Sequence, residues 1–177
     1  MILVLLLYIH FPGATVPSIV FYNLHNCAAV HFIEADNSSY LCSDRKDSSY
    51  IYMKNIAETY WKRKKMPITH LLLSDYEGRN VWSHKGIVHW RGMNICMVTD
   101  GYWRNKSATN LLDIDYMYLC KGYKGEIAPL QKLFHIKRIV LDASLGDYKS
   151  KAYKEECKTL GLDYIDISEK GSFRILL

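Results

Sequence analysis

Apolar residues along this chain follow two periods, and each switch between them marks an element. I-V-F-Y-N-L at Ile19–Leu24 and A-A-V-H-F-I at Ala28–Ile33 are short runs rich in β-branched and aromatic residues. They predict two strands joined across His25-Asn26-Cys27. Asp36-Asn37-Ser38 is a turn signal, and Ser39–Ser43 behind it predicts a third strand. From Tyr50 to Lys64 the period changes: Met53, Ile56, Ala57, Tyr60 and Trp61 recur at i, i+3, i+4, i+7 and i+8. That spacing lays one apolar stripe along a helix. Pro67 ends it, because proline clashes with the preceding turn and has no N–H to give. Ile68–Leu73 then predicts a return to strand.

The second half keeps the same rhythm. Gly86–Trp90 and Asn94–Thr99 flank Arg91-Gly92-Met93 and predict a hairpin. Tyr116–Cys120 predicts a buried strand leading into Lys121-Gly122-Tyr123-Lys124-Gly125. Glu126–Phe134 predicts a short helix with Ile127, Leu130, Leu133 and Phe134 on one side. Arg138–Asp142 (strand), Tyr148–Leu160 (helix, with Tyr153, Cys157 and Leu160 inward) and Tyr164–Ile167 (strand) predict a βαβ unit, whose crossover should be right-handed. Gly161 stands where a helix C-terminus favours a left-handed residue. Phe173–Leu176 predicts the closing strand. Strands followed by alternating β and α units imply an α/β fold of mixed β-sheets packed with outer helices.

Composition narrows this picture. The 177 residues suit one domain, half apolar and about a quarter charged, with no repeat and no low-complexity tract. Fourteen tyrosines against five phenylalanines suit half-buried strand faces. Met1–Ile9 is wholly apolar or aromatic, and Pro12-Gly13 closes the segment. It is less than half the roughly 20 residues a spanning helix needs and lacks a positive n-region. Residues 1–13 are read as the end of a membrane helix or an apolar lead segment, with a signal-like or interfacial segment and a buried strand as the other readings; residues 16–177 are the domain. The five cysteines (Cys27, Cys42, Cys96, Cys120, Cys157) include no C-x-x-C pair, so zinc-ribbon and thioredoxin-like motifs are unsupported, and each sits in an apolar setting where a thiol packs as a small core residue.

The order of these pieces resembles the metallo-β-lactamase-like domain at the C-terminal end of ComEC, the DNA-uptake channel of bacterial competence. Leu24-His25-Asn26-Cys27 stands at the family's first turn and Ser43-Asp44 at its D-x-G turn. I-C-M-V-T-D-G resembles the family's L-L-x-G-D strand and places Asp100 at its acidic position, while Y-M-Y-L-C-K-G-Y-K-G resembles the L-K-V-P-H-H-G-S segment. The tail from Arg138 to Ile175 matches the family's closing strand, helix, strand and G-x-x-x-I sequence. The resemblance implies a shortened metallo-β-lactamase-like sandwich, the channel portion of a larger membrane protein as partner, and a position outside the cytoplasm.

Hydrolases of that fold hold zinc or manganese through clustered His and Asp side chains around an open coordination position. The resemblance puts the first cluster, H-x-H-x-D-H, at Ile68–Gly78, where this chain offers His70, Asp75 and Glu77. No H-x-H occurs anywhere, and Lys121-Gly122 replaces the later histidine pair, so a lysine cation stands where a metal would bind. The expectation is therefore no metal, no cofactor and no catalysis. The alternative is a metal-dependent nuclease or hydrolase with unusual ligands, drawn from Asp44, Asp75, Asp100 and His70.

Three smaller features complete the reading. His84 with His89, and His25 with His31, lie near turns and are better explained as solvated or half-buried side chains than as ligands. No G-x-S-x-G elbow and no P-loop pattern is present, so Lys121–Gly125 is read first as a bent connection and second as an anion-binding loop. The net charge is +5 with a pI near 8.8. Lys62-Arg63-Lys64-Lys65 at one helix end suits the macrodipole. With Lys121, Lys124 and exposed tyrosines it is also the candidate contact for single-stranded DNA or anionic lipid. A standalone anion- or nucleic-acid-binding protein is a third, weaker reading.

Overall fold

The computed structural model describes residues 16–24, 27–43, 68–72, 75–78 and 80–177, with Ile51, Asn55, Glu58, Trp61 and Lys62 between them. The apolar segment 1–13, His25, Asp44 and the cations Arg63, Lys64 and Lys65 lie outside the described residues, as do the side chains of residues 68–72, including His70.

Two sheets dominate. The first has five strands, in the order β14-β1-β2-β3-β4: Phe173–Leu176, Ser18–Phe21, Ala29–Ile33, Ser39–Ser43 and Ile68–Leu72. All its pairings are antiparallel except β3 with β4, which run parallel with Ser39 opposite Ile68. The closing strand thus returns beside the first, with Ile175 opposite Ile19. The second sheet has seven strands. Its parallel half contains, in spatial order, β13 (Asp163–Asp166), β12 (Arg138–Leu141), β10 (Tyr116–Leu119) and β8 (Met93–Val98). An antiparallel meander continues it: β7 (Ile87–Trp90), β6 (Val81–His84) and β5 (Tyr76–Glu77). A parallel pair, β9 (Leu112–Ile114) with β11 (Phe134–Ile136), lies outside both sheets.

The period of two along the strands sorts side chains into layers. Phe21, Val30 and Phe32 of the first sheet and Val88, Trp90, Met97, Tyr118 and Val140 of the second form one core between the sheets. Their sequence neighbours point the other way. Cys96, Val98, Met117, Leu119, Ile139 and Leu141 pack beneath α1 (Asp147–Leu160), which contributes Tyr153 and Cys157. On the far side, Ala29, Ile33 and Leu41 meet Trp61, the one member of the predicted stripe that is described. Helix, sheet, sheet, helix is the α/β arrangement of mixed sheets with outer helices that the chain's patterning implies.

The predicted strands and the βαβ unit are present, with shifted ends. β1 stops at Phe21 instead of Leu24, and Ile167 opens a short helix, α2 (Ile167–Lys170), instead of closing β13. Gly161 ends α1 at φ 66°, ψ 28°, and its N–H reaches the carbonyls of Cys157 and Lys158. The segment predicted as a helix over Glu126–Phe134 is corrected: it forms a 3-10 turn at Ala128–Lys132, and Phe134 begins β11. Ile127, Leu130 and Leu133, all buried, recur every third residue, which is the 3-10 repeat and drifts off one face of an α-helix. β5, β9 and β11 lack a sequence signal because they are two or three residues long, and the four-residue β6 lacks one as well. In β6 a polar residue, Ser83, takes a buried position.

Candidate functional site

In open α/β sheets ligands gather at the carboxyl ends of parallel strands, because loops diverge there and leave a crevice. Four such ends stand side by side here: Thr99-Asp100 after β8, Cys120–Gly125 after β10, Asp142 after β12 and Asp166 as the last residue of β13.

The carboxylates at the ends of β12 and β13 are buried, and each is surrounded by donors. Tyr118 donates its hydroxyl to Asp142, which also accepts from the hydroxyl of Ser144 and, at 3.2 Å, from its N–H. Burial first, then the charge of Asp142, pushes the Tyr118 phenol well above its ordinary value, so it stays a donor. Asp166 accepts from Ser150 at 2.8 Å and from the N–H and hydroxyl of Ser168 at 2.9 and 2.5 Å. The Lys154 ammonium lies 2.5 Å away. Burial alone would raise Asp166, but Lys154, Ser168 and Ser150 outweigh it and hold the carboxyl at about 2. Their partners make both carboxylates structural anchors of the strand ends.

The ends of β8 and β10 carry the residues singled out in the sequence. Asp100 is exposed, and its carboxylate accepts the Tyr102 N–H at 2.8 Å, which folds the loop as an Asx-turn. Lys121 and Lys124 are exposed on the next loop. That loop lies tight against the β8 end: a Cβ on Gly122 would stand 1.8 Å from the Thr99 carbonyl oxygen. The anion-binding reading of Lys121–Gly125 meets a resident anion. A Glu156 carboxylate oxygen from α1 accepts the N–H groups of Ile127 at 2.7 Å and Ala128 at 2.9 Å, where the following 3-10 turn begins. Lys62 is exposed and pairs with Glu58, one helical turn before it, at 2.7 Å.

The alternative metal ligands that are described, Asp75 and Asp100, are not brought together. Asp75 pairs with His84 at 2.7 Å beside the edge strand β5, and Asp100 folds its own loop. Among the described residues no group of three or more His, Cys, Asp or Glu could hold a metal ion. His89 bonds to Asn94 at 2.7 Å, so the pair His84 and His89 divides between separate partners. His31 lies buried against Tyr22, 2.8 Å from its hydroxyl; burial, with Arg174 adding to it, lowers the imidazole to about 4. All five cysteines lie among the described residues and are buried thiols rather than disulfides.

One cluster escaped the sequence reading. Tyr102 is exposed beside the Lys85 turn, with the Lys106 ammonium 3.1 Å from its ring centroid and that of Lys85 at 5.3 Å. Hydrogen bonding from Lys85, then Lys106, lowers the Tyr102 phenol from its ordinary value. The interleaved Tyr102-Trp103-Arg104-Asn105-Lys106 was the available signal.

The fold and the strand-end loops together define an α/β sandwich domain whose exposed loops carry a basic rim. The sequence model of the ComEC C-terminal domain family matches residues 19–177, and the chain belongs to that family. Membership ties the chain to DNA uptake in competence and to a membrane protein of which this domain is a part. No curated protein and no solved structure matches the chain. Among the described residues no helix is long and apolar enough to cross a membrane.

Proposed function

We propose that this domain serves competence DNA uptake without catalysis, as a degenerate metallo-β-lactamase-like sandwich outside the cytoplasm that contacts the channel and the incoming single strand. The observation that carries the reading is the loop after β10. Where the family resemblance expects paired histidines, the chain presents Lys121 and Gly122, and Gly122 lies so close to the Thr99 carbonyl that no imidazole fits at that position. A lysine ammonium on the loop packed against Thr99-Asp100 repels a divalent ion and attracts phosphate. Lys62, Arg63, Lys64, Lys65 and Lys124 extend the positive charge available to a strand.

Metal analysis of the intact purified chain tests the first half. The expected result is far less than one equivalent of zinc or manganese and no cleavage of single-stranded DNA when either ion is added. Stoichiometric metal whose retention depends on Asp75 or Asp100, read in Asp75→Asn and Asp100→Asn, overturns this reading in favour of hydrolysis through Asp44, His70, Asp75 and Asp100. Fluorescence anisotropy tests the second half. Replacing Lys62, Arg63, Lys64 and Lys65 by Gln should weaken oligonucleotide binding and flatten its salt dependence, by about 0.7 in slope for each phosphate of a single strand that is no longer neutralised. Unchanged affinity and slope remove those four residues from the interface.

A further inference from the structure

Among the described residues, the outer face of the seven-stranded sheet is covered by α1 and the 3-10 segment as far as Ile87 of β7, while an aromatic pair on β6 stays exposed. Trp82 is 43% exposed, and its ring stacks on His84 with centroids 5.9 Å apart and planes at 30°. The chain then turns through Lys85 and Gly86. Gly86 has φ 83°, and a Cβ there would meet the Met97 carbonyl at 2.7 Å, so the turn is seated beside the β8 end. This seating brings Lys85 to Tyr102, which Lys106 reaches from the other direction. Trp103 anchors the loop by packing edge-on against Phe134 at 5.1 Å. A cavity of about 220 Å³ opens between Lys85, Thr99, Asp100, Tyr102 and Trp103.

We propose that Lys85, Tyr102 and Lys106 seat a phosphodiester of single-stranded DNA, with the Trp82–His84 pair stacking the neighbouring base. Two ammonium groups and a phenol hydroxyl are all donors, the complement of a phosphate's acceptor oxygens. Among the described residues neither ammonium makes an ion pair. The two nearby carboxylates are engaged, Asp75 by His84 and Asp100 by the Tyr102 N–H. Lys85 and Lys106 reach the Tyr102 ring from opposite directions, so a phosphate seated there meets both cations. A base-stacking ring beside a cationic seat is how proteins hold single strands without reading sequence. An apolar or acidic protein partner would leave either the lysines or the rings without use. The assignment rests on the strand-contact reading and moves its centre from the Lys62–Lys65 helix end to the sheet rim.

The test uses the intact chain, a fluorescent polythymidine oligonucleotide, the corresponding duplex and inorganic phosphate. Polythymidine should quench tryptophan fluorescence and bind more tightly than duplex. Lys85→Gln/Lys106→Gln should weaken binding about tenfold and lower the salt slope by about 1. Trp82→Ala should weaken it at least about fivefold and abolish most of the quenching. All three side chains are exposed at the surface, and far-UV circular dichroism should be unchanged. Binding that persists unaltered in these variants overturns this site and leaves the strand-contact reading intact. Failure of the unaltered chain to bind polythymidine overturns both. Equal occupancy by phosphate alone and no effect of Trp82→Ala overturn the DNA assignment.

Discussion

Asp166→Asn is the sharpest probe of how the strand ends are held. Asp166 is 2% exposed at the end of β13 and binds Lys154, Ser150 and Ser168, so its negative charge is paired before any ligand arrives. Its carboxyl falls from an ordinary 3.8 to about 2, which corresponds to roughly 2 kcal/mol of stability. Because the folded value lies below the unfolded one, the contribution is complete well above pH 3.8. It fades as pH falls through about 2. The linkage relation leaves about half of it at pH 3 and little at pH 2. Asparagine keeps an oxygen for Ser150 and Ser168 and removes the charge facing Lys154, which retains Glu169 at 2.6 Å. Urea unfolding should therefore place the variant about 2 kcal/mol below the unaltered chain at pH 7, with about half that gap at pH 3. A gap below about 0.5 kcal/mol at pH 7, or one that does not narrow with acid, refutes the electrostatic account.

Two further outcomes follow from close packing. Gly122→Ala places a methyl group 1.8 Å from the Thr99 carbonyl and should cost about 2 to 4 kcal/mol in thermal or urea unfolding, whereas Gly101→Ala, with nothing within 4 Å, should change stability by less than about 0.5 kcal/mol. Burial raises the thiols of Cys42 and Cys96 to about 12 and Cys157 to about 11, so a thiol reagent at pH 8 should leave them unmodified in the folded chain and label all five cysteines in denaturant.

The limits of sequence reading are visible at particular residues. Short apolar runs at Ala29–Ile33 and Met93–Val98 announce strands, and Gly161 announces a helix end, because these signals are local: composition bounded by turn residues, and a left-handed turn that glycine adopts without strain. The Ile127–Leu133 segment misleads because periods of 3.0 and 3.6 differ too little over seven residues to be separated. Lys85 and Lys106 are twenty-one positions apart, and no periodicity links them; a tight turn against the Met97 carbonyl and a loop pinned by Trp103 bring both to Tyr102.

From its sequence alone this chain declares its longer strands, its closing βαβ unit, its family resemblance and the shortage of histidine where a metal would need it, since each depends on residues near one another or on simple counting. Only the folded molecule decides what fills the strand ends. Pairing β8, β10, β12 and β13 in parallel aligns four loops, and the donors of Tyr118, Ser144, Ser150 and Lys154 then reach Asp142 and Asp166 from elements up to twenty-four residues away. Electrostatic partnership depends on distance in space, and the chain acquires those distances only when its two sheets close on one another.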